Sequence, residues 1–141
     1  MHFVVHMNPK PCPRPRVAMR GKYPTAYYPK PYTDWKAEFN SKLLEKVPDN
    51  DEPVFTGPVY CKIINVMVKP RTGKLDVPPY DVDNYAKSVM DGITNHKGVW
   101  KDDDQVAELD VAKVYGDINC ICVEIEDLPV DSLITKMRKY I

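Results

Sequence analysis

Val59-Tyr60-Cys61-Lys62-Ile63-Ile64-Asn65-Val66-Met67-Val68 is a strongly β-forming stretch, β-branched or apolar at most positions, and it predicts a strand. Outward from it, Pro70 to Tyr80 is a long loop. Asp83 to about Asn95 then reads as a helix, because Ala86, Val89, Met90 and Ile93 recur at three- and four-residue intervals, with Gly98 just beyond its end. On the other side, residues 49–57 form an acidic, Pro/Gly-containing loop. Before it, Thr33 can cap a helix from near Asp34 to about Lys46, with Trp35, Phe39, Leu43 and Val47 every fourth residue and Pro48 as the stop. Residues 2–7 read as a first strand. Residues 105–115 and 118–126 read as two strands around Gly116-Asp117, a pair that suits a type II′ hairpin turn. Asp131 to Tyr140 closes the chain as a short helix. The order βαβαββα predicts an α/β (α+β) fold, a single domain over residues 1–141 in which helices pack on a mixed β-sheet.

The length of 141 residues supports one real core, and the hydrophobic fraction of 43% with 28% charged residues is ordinary for a globular protein. Fourteen prolines cluster at 9–31 and 70–79, which predicts two irregular segments. No apolar run is long enough to span a membrane. The opening Met1-His2-Phe3-Val4-Val5-His6 lacks the features of a signal peptide, so a cytoplasmic location is expected. Cys12, Cys61, Cys120 and Cys122 fit no zinc spacing and are expected to be reduced thiols. His2 and His6 read as structural, and His96 as a solvated loop residue.

The net charge of zero conceals a segregation. Residues 8–46 hold nine Lys/Arg against three Asp/Glu, a balance of +6, whereas residues 76–110 hold three against nine, a balance of −6. A basic segment beside an acidic focus suits a protein that grips phosphates and also binds cations, although solvated faces can cluster by chance.

Two acidic groups frame the middle helix. Asp81-Val82-Asp83-Asn84 opens it, and Asp102-Asp103-Asp104 lies about twenty residues further on, just before a strand. Asp83, Lys87 and Asp91 are spaced by four and share one helical face. An ordinary ion-pair row, with acids favoured at a helix start, accounts for those three. It does not account for three consecutive aspartates, whose mutual repulsion a divalent cation would remove. Oxygen ligands without nearby Cys or His favour Mg²⁺ or Mn²⁺ over zinc. The spacing is not that of an EF-hand, since Ala86 stands where a glycine is required. Trp100 reads either as core or as a base-stacking ring.

At these residues the chain resembles the RusA family of Holliday junction resolvases, or crossover junction endodeoxyribonucleases. The resemblance rests on Asp81-Val82-Asp83-Asn84-Tyr85-Ala86-Lys87, on Asp91-Gly92-Ile93, and on Gly98-Val99-Trp100-Lys101-Asp102-Asp103-Asp104-Gln105-Val106, with Pro13-Arg14-Pro15-Arg16 as a weaker match. It implies a Mg²⁺-dependent homodimeric endonuclease, with Mn²⁺ as a possible substitute, that nicks branched DNA symmetrically in recombination and repair and leaves 5′-phosphate and 3′-hydroxyl ends. Members are often encoded by prophages. By position, Asp81, Asp83, Lys87 and Asp103 match the catalytic set. Asp81, Asp83 and Asp103, with Asp102 and Asp91 beside them, match the metal-binding positions. Asp104 falls where members vary.

The remaining basic segment, residues 8–31, reads as a Pro-rich arm in an extended loop or irregular hairpin. Arg14, Arg16, Arg20, Lys22 and Lys30 are its expected phosphate contacts. Tyr23, Tyr27 and Tyr28 either stack on unpaired bases or pack the arm onto its own domain or across a dimer. Two other functions compete with resolution of junctions: a non-catalytic junction-binding protein, and a metal nuclease acting on flaps, forks or RNA. A motif reports chemistry rather than substrate shape.

Overall fold

A computed structural model describes all 141 residues. The elements are β1 (His2–Val5), β2 (Arg16–Arg20), β3 (Tyr23–Tyr27), α1 (Lys30–Lys46), β4 (Val59–Val68), α2 (Val82–Asn95), a 3-10 turn (Asp103–Gln105), β5 (Val106–Gly116), β6 (Cys120–Asp127) and α3 (Val130–Met137). Four strands form a mixed sheet in the order β1-β6-β4-β5, with β4 parallel to β5 and antiparallel to β6. The expected α+β domain is therefore what the chain forms. β4 occupies an interior position, as its β-branched composition suits. Its residues Val59, Cys61, Ile63 and Asn65 are buried in alternation with half-exposed ones, the period-2 signature of a sheet covered on one face. The helices α1 and α2 supply that cover: Phe39, Leu43, Val89 and Ile93 join Cys61, Ile63, Ile121, Val123 and Ile125 in one core. No helix is long and apolar enough to cross a membrane.

The strand pair after residue 105 departs from the sequence reading. β5 and β6 are not hairpin partners, because β4 lies between them. The three-residue link 117–119 passes over the end of β4, and the Asn119 Oδ1 accepts the Val68 N–H at 2.8 Å. Gly116 is not there for a turn. A Cβ at that position would meet Val66 Cγ1 at 2.6 Å, so glycine allows the close approach of β5 to β4. Parallel pairing with β4 gives β5 a ten-residue ladder, which a tight hairpin to β6 would forfeit.

α1 begins at Lys30 rather than at Asp34, with Pro29 as the cap residue and Pro31 in the first turn, where a missing N–H costs nothing. Thr33 is not the cap: its Oγ1 donates to the Lys30 carbonyl at 2.9 Å. His96 is a second correction. It is buried, with its Nδ1 3.3 Å from Asp49 Oδ1, because the backbone after α2 pairs with the 50–55 loop through Asn50 N–H to Lys97 O and Phe55 N–H to Val99 O. Trp100 is core, 2% exposed, with its Nε1–H on Thr94 Oγ1 at 2.9 Å, and this removes the stacking alternative. All four cysteines are free.

The type II′ geometry expected at 116–117 occurs instead in the basic segment. Arg20 pairs with Tyr23 across the two-residue turn Gly21-Lys22, and only Gly21 of the two has positive φ, +63°. β2 and β3 make a separate two-stranded ribbon.

Candidate functional site

α2 is amphipathic. Tyr85, Ala86, Val89 and Ile93 are buried, which leaves Asp83, Lys87 and Asp91 along the outer face, each about 6 Å further along the axis than the last. Asp81 stands at the cap position in extended conformation, yet its carboxylate makes no capping hydrogen bond. The residue before it, Tyr80, has φ +72°, an outlier for a bulky side chain. Its conformation is pinned from both sides: the Lys113 Nζ donates to the Tyr80 carbonyl, and the Tyr85 hydroxyl donates to the Pro79 carbonyl at 3.0 Å.

The second acidic group is organised by Gln105. Asp102 and Gln105 form a capping box around the 3-10 turn. The Gln105 Oε1 accepts the Lys101 and Asp102 N–H groups at 2.8 and 3.3 Å, while its Nε2 donates to the Phe55 and Gly57 carbonyls at 3.1 and 3.0 Å. One side chain thereby staples the aspartate turn to the loop before β4. The Asp103 N–H in turn bonds Asp102 Oδ1 at 2.7 Å.

The outer face of α2 meets this turn at Lys87. The Lys87 ammonium lies 2.7 Å from Asp91 Oδ1 and 4.0 Å from Asp103 Oδ2, so carboxylates twelve positions apart share one cation. The hydrogen bond to Asp91 raises the Lys87 pKa, with the charges of Asp91 and Asp103 adding to it, so Lys87 is an ammonium at neutral pH. Asp103 has a raised pKa, first from burial and then from Asp102 and Asp91, only partly offset by Lys87. Asp81, Asp83 and Asp104 are exposed. Asp81 and Asp83 stand toward the N-terminal end of α2, and none of the three makes an ion pair within 4.0 Å. No group of three His, Cys, Asp or Glu side chains converges tightly enough to hold one ion as arranged, and Lys87 acts as the counter-cation for the Asp91–Asp103 end. The donor set nonetheless suits a hard dication. Every candidate ligand is a carboxylate, and the raised pKa of Asp103, from burial first and then from its acidic neighbours, marks a cost of its negative charge that added positive charge would relieve.

The ribbon and the residues just before it carry a group of cations without ion-pair partners. Arg14, Arg16, Arg20 and Lys22 are exposed, and the register puts Arg16, Arg20, Tyr23 and Tyr27 on one face, with Val17, Met19, Pro24 and Ala26 on the other. Lys30 belongs to α1 and pairs with Asp34 at 2.7 Å. The arm is thus shorter than residues 8–31: Cys12 N–H bonds the Asn84 carbonyl at 2.9 Å, and the Trp35 indole N–H bonds the Asn8 carbonyl at 2.8 Å, so residues 8–13 lie on the body. Of the three tyrosines, Tyr28 packs inward, its ring edge-on to Tyr32 at 5.1 Å with the Lys36 ammonium 5.9 Å from its centroid. Tyr23 and Tyr27 remain exposed.

Two residues that bear on the site were given no role in the sequence reading. Gln105 was discoverable, because an Asp followed three residues later by Gln is a capping-box signature. Tyr80 was not, since no local pattern announces positive φ at a tyrosine. Compared with known proteins, the chain matches a family model described as endodeoxyribonuclease RusA over residues 6–126. No curated protein matches it.

Proposed function

The chain belongs to the RusA family of endodeoxyribonucleases, and from that membership we propose that it is a Mg²⁺-dependent enzyme that hydrolyses phosphodiester bonds at Holliday junctions and related branched DNA, acting as a homodimer that nicks opposing strands. The observation that carries this reading is the meeting of Lys87 and Asp91 on α2 with Asp103 on the 3-10 turn, beside a ribbon of exposed arginines. A structural ion pair on a solvated helix needs neither the adjoining aspartates nor the ribbon.

Hydrolysis requires water to attack phosphorus in line with the departing 3′-oxygen, and it develops negative charge on the phosphoryl oxygens. Magnesium bound by Asp81, Asp83 and Asp103, with Asp91 and Asp102 beside them, would supply acidified water and neutralise that charge. Lys87 provides a second, fixed positive charge. Held by Asp91, it meets the charge of the transition state without having to reorganise. Asp102 orients the Asp103 backbone, and Gln105 fixes the turn that carries both. Arg14, Arg16, Arg20 and Lys22 bind backbone phosphates, which sets affinity and orientation but reads no sequence.

The test is a side-by-side assay on four-way junction, flap, fork and plain duplex DNA, in Mg²⁺ and in Ca²⁺, with wild type and Asp83→Asn. The expected result is paired nicks in the junction in Mg²⁺, binding without turnover in Ca²⁺, and no cutting by a normally folded Asp83→Asn. Preferential cutting of flaps or forks would reassign the substrate. Tight junction binding with no cutting in Mg²⁺ or Mn²⁺ would make the chain a binding protein.

A further inference from the structure

The largest cavity in the molecule, about 600 Å³, opens beside the start of α2. We propose that it receives one nucleobase, unstacked from the DNA strand being cut, and that Tyr80 and Tyr115 grip that base and set the cut-site preference. The inference rests on the nuclease reading above and adds to it a determinant of specificity.

Three observations carry it. The cavity adjoins the first acidic pair: it is lined by Tyr80, which directly precedes Asp81, and by Asn84, which directly follows Asp83. A strand whose phosphate lies at those carboxylates therefore has its neighbouring base within one nucleotide of the opening. The lining suits a base. Tyr80 and Tyr115 supply aromatic faces, Pro11 and Met67 supply apolar walls, and the Asn84 amide and the Lys10 ammonium supply polar groups for base edges or the adjoining phosphate. The size is within the range of about 300–1,000 Å³ for small-ligand sites, enough for a nucleoside and too little for stacked base pairs. Stacking on aromatic rings is how bases outside a duplex are commonly held.

The third observation is the strain at Tyr80. Its φ of +72° is costly for a tyrosine, and glycine or asparagine would occupy such a turn more easily. Hydrogen bonds to the carbonyls of Pro79 and Tyr80 hold the distorted segment in place. Tyr80 is 67% exposed and lines the cavity, so it contributes little to the core. Strain held firmly by its surroundings, at an exposed aromatic next to reacting groups, is the pattern of a ligand contact.

The test pairs cut-site mapping with crosslinking. Junctions randomised around the crossover are cut in Mg²⁺ by wild type, Tyr80→Phe, Tyr80→Gly and Tyr115→Ala. Tyr80→Gly removes the ring while relieving the backbone, so folding is preserved. The expected result is that wild type and Tyr80→Phe share one cut-site preference, whereas Tyr80→Gly and Tyr115→Ala flatten it by about five- to a hundred-fold, the span of base–aromatic stacking. A merely structural role for Tyr80 would lower cutting at all sequences alike. In Ca²⁺, junction DNA carrying 5-iodouracil at successive crossover positions is irradiated and the adduct mapped, with Tyr80 or Tyr115 expected from a position beside the cut. Unchanged preference in Tyr80→Gly, or adducts confined to the ribbon, overturns the proposal while leaving the nuclease reading standing. Absence of cutting by wild type on every branched substrate sinks the nuclease reading, and the adduct map then decides the cavity separately.

Discussion

Gln105→Ala is the substitution that most directly probes how the acidic centre is assembled. The side chain makes four hydrogen bonds: two from its NH₂ to the Phe55 and Gly57 carbonyls and two to its oxygen from the Lys101 and Asp102 N–H groups. The first two are partly buried and their carbonyls would lose a partner, at about 1 kcal/mol each; the second two are exposed and water replaces them, at about 0.5 kcal/mol or less each. The total is about 2–3 kcal/mol. Urea denaturation should show this as a lower midpoint with unchanged slope. Loosening the turn also frees Asp103 from Lys87, so the Mg²⁺ concentration for half-maximal cleavage should rise by about 10- to 100-fold, as for loss of other groups that orient metal ligands. Gln105→Glu is the sharper control. It keeps the shape and the acceptor oxygens but aims a carboxylate at two carbonyls, so it should be at least as damaging as alanine. A change below about 0.5 kcal/mol in both variants, the range of ordinary surface substitutions, would refute the account of how the turn is held.

Gly92→Ala places a Cβ 2.5 Å from Phe39 Cδ1. It should destabilise by about 1–3 kcal/mol in the same denaturation experiment despite alanine's better helix propensity, and Phe39→Leu in the same chain should recover part of the loss. The raised pKa of Asp103 means that the folded protein binds its proton more tightly than the unfolded chain does. Without metal, stability from this group therefore falls as pH rises through and above the usual carboxylate range. Asp103→Asn should melt at or above the wild-type temperature in chelator at pH 7 while abolishing cleavage. Arg16→Ala and Arg20→Ala should each weaken junction binding at all sequences and reduce the slope of log affinity against log salt by about one. An unchanged slope would remove the ribbon from the interface.

Elements carried by periodicity were legible in the sequence. β4 was read with its observed bounds, and α2 to within a residue, because alternation and three-to-four spacing are local signals. The pairing of β5 was not legible. Gly116-Asp117 looks like a hairpin turn, and only the long-range ladder with β4 shows that the glycine serves close packing instead. Thr33 misled in a similar way, since Pro29 and Pro31 start the helix a turn earlier. His96 looked solvated because its burial depends on the loop at residues 49–55, far upstream in the sequence. At the site, the face shared by Asp83, Lys87 and Asp91 follows from spacing alone. The contact of Lys87 with Asp103 depends on how the 3-10 turn is stapled, which is a tertiary matter.

The central claim is that carboxylates from α2 and from the Asp102–Asp104 turn act on one divalent ion, and Mn²⁺ binding followed by electron paramagnetic resonance addresses it without any DNA. Wild type should show saturable binding that Asp83→Asn and Asp103→Asn each weaken, with the double variant losing much less than the sum of the two because both residues serve the same ion. Strictly additive losses, or full-strength binding in either single variant, would contradict the shared centre.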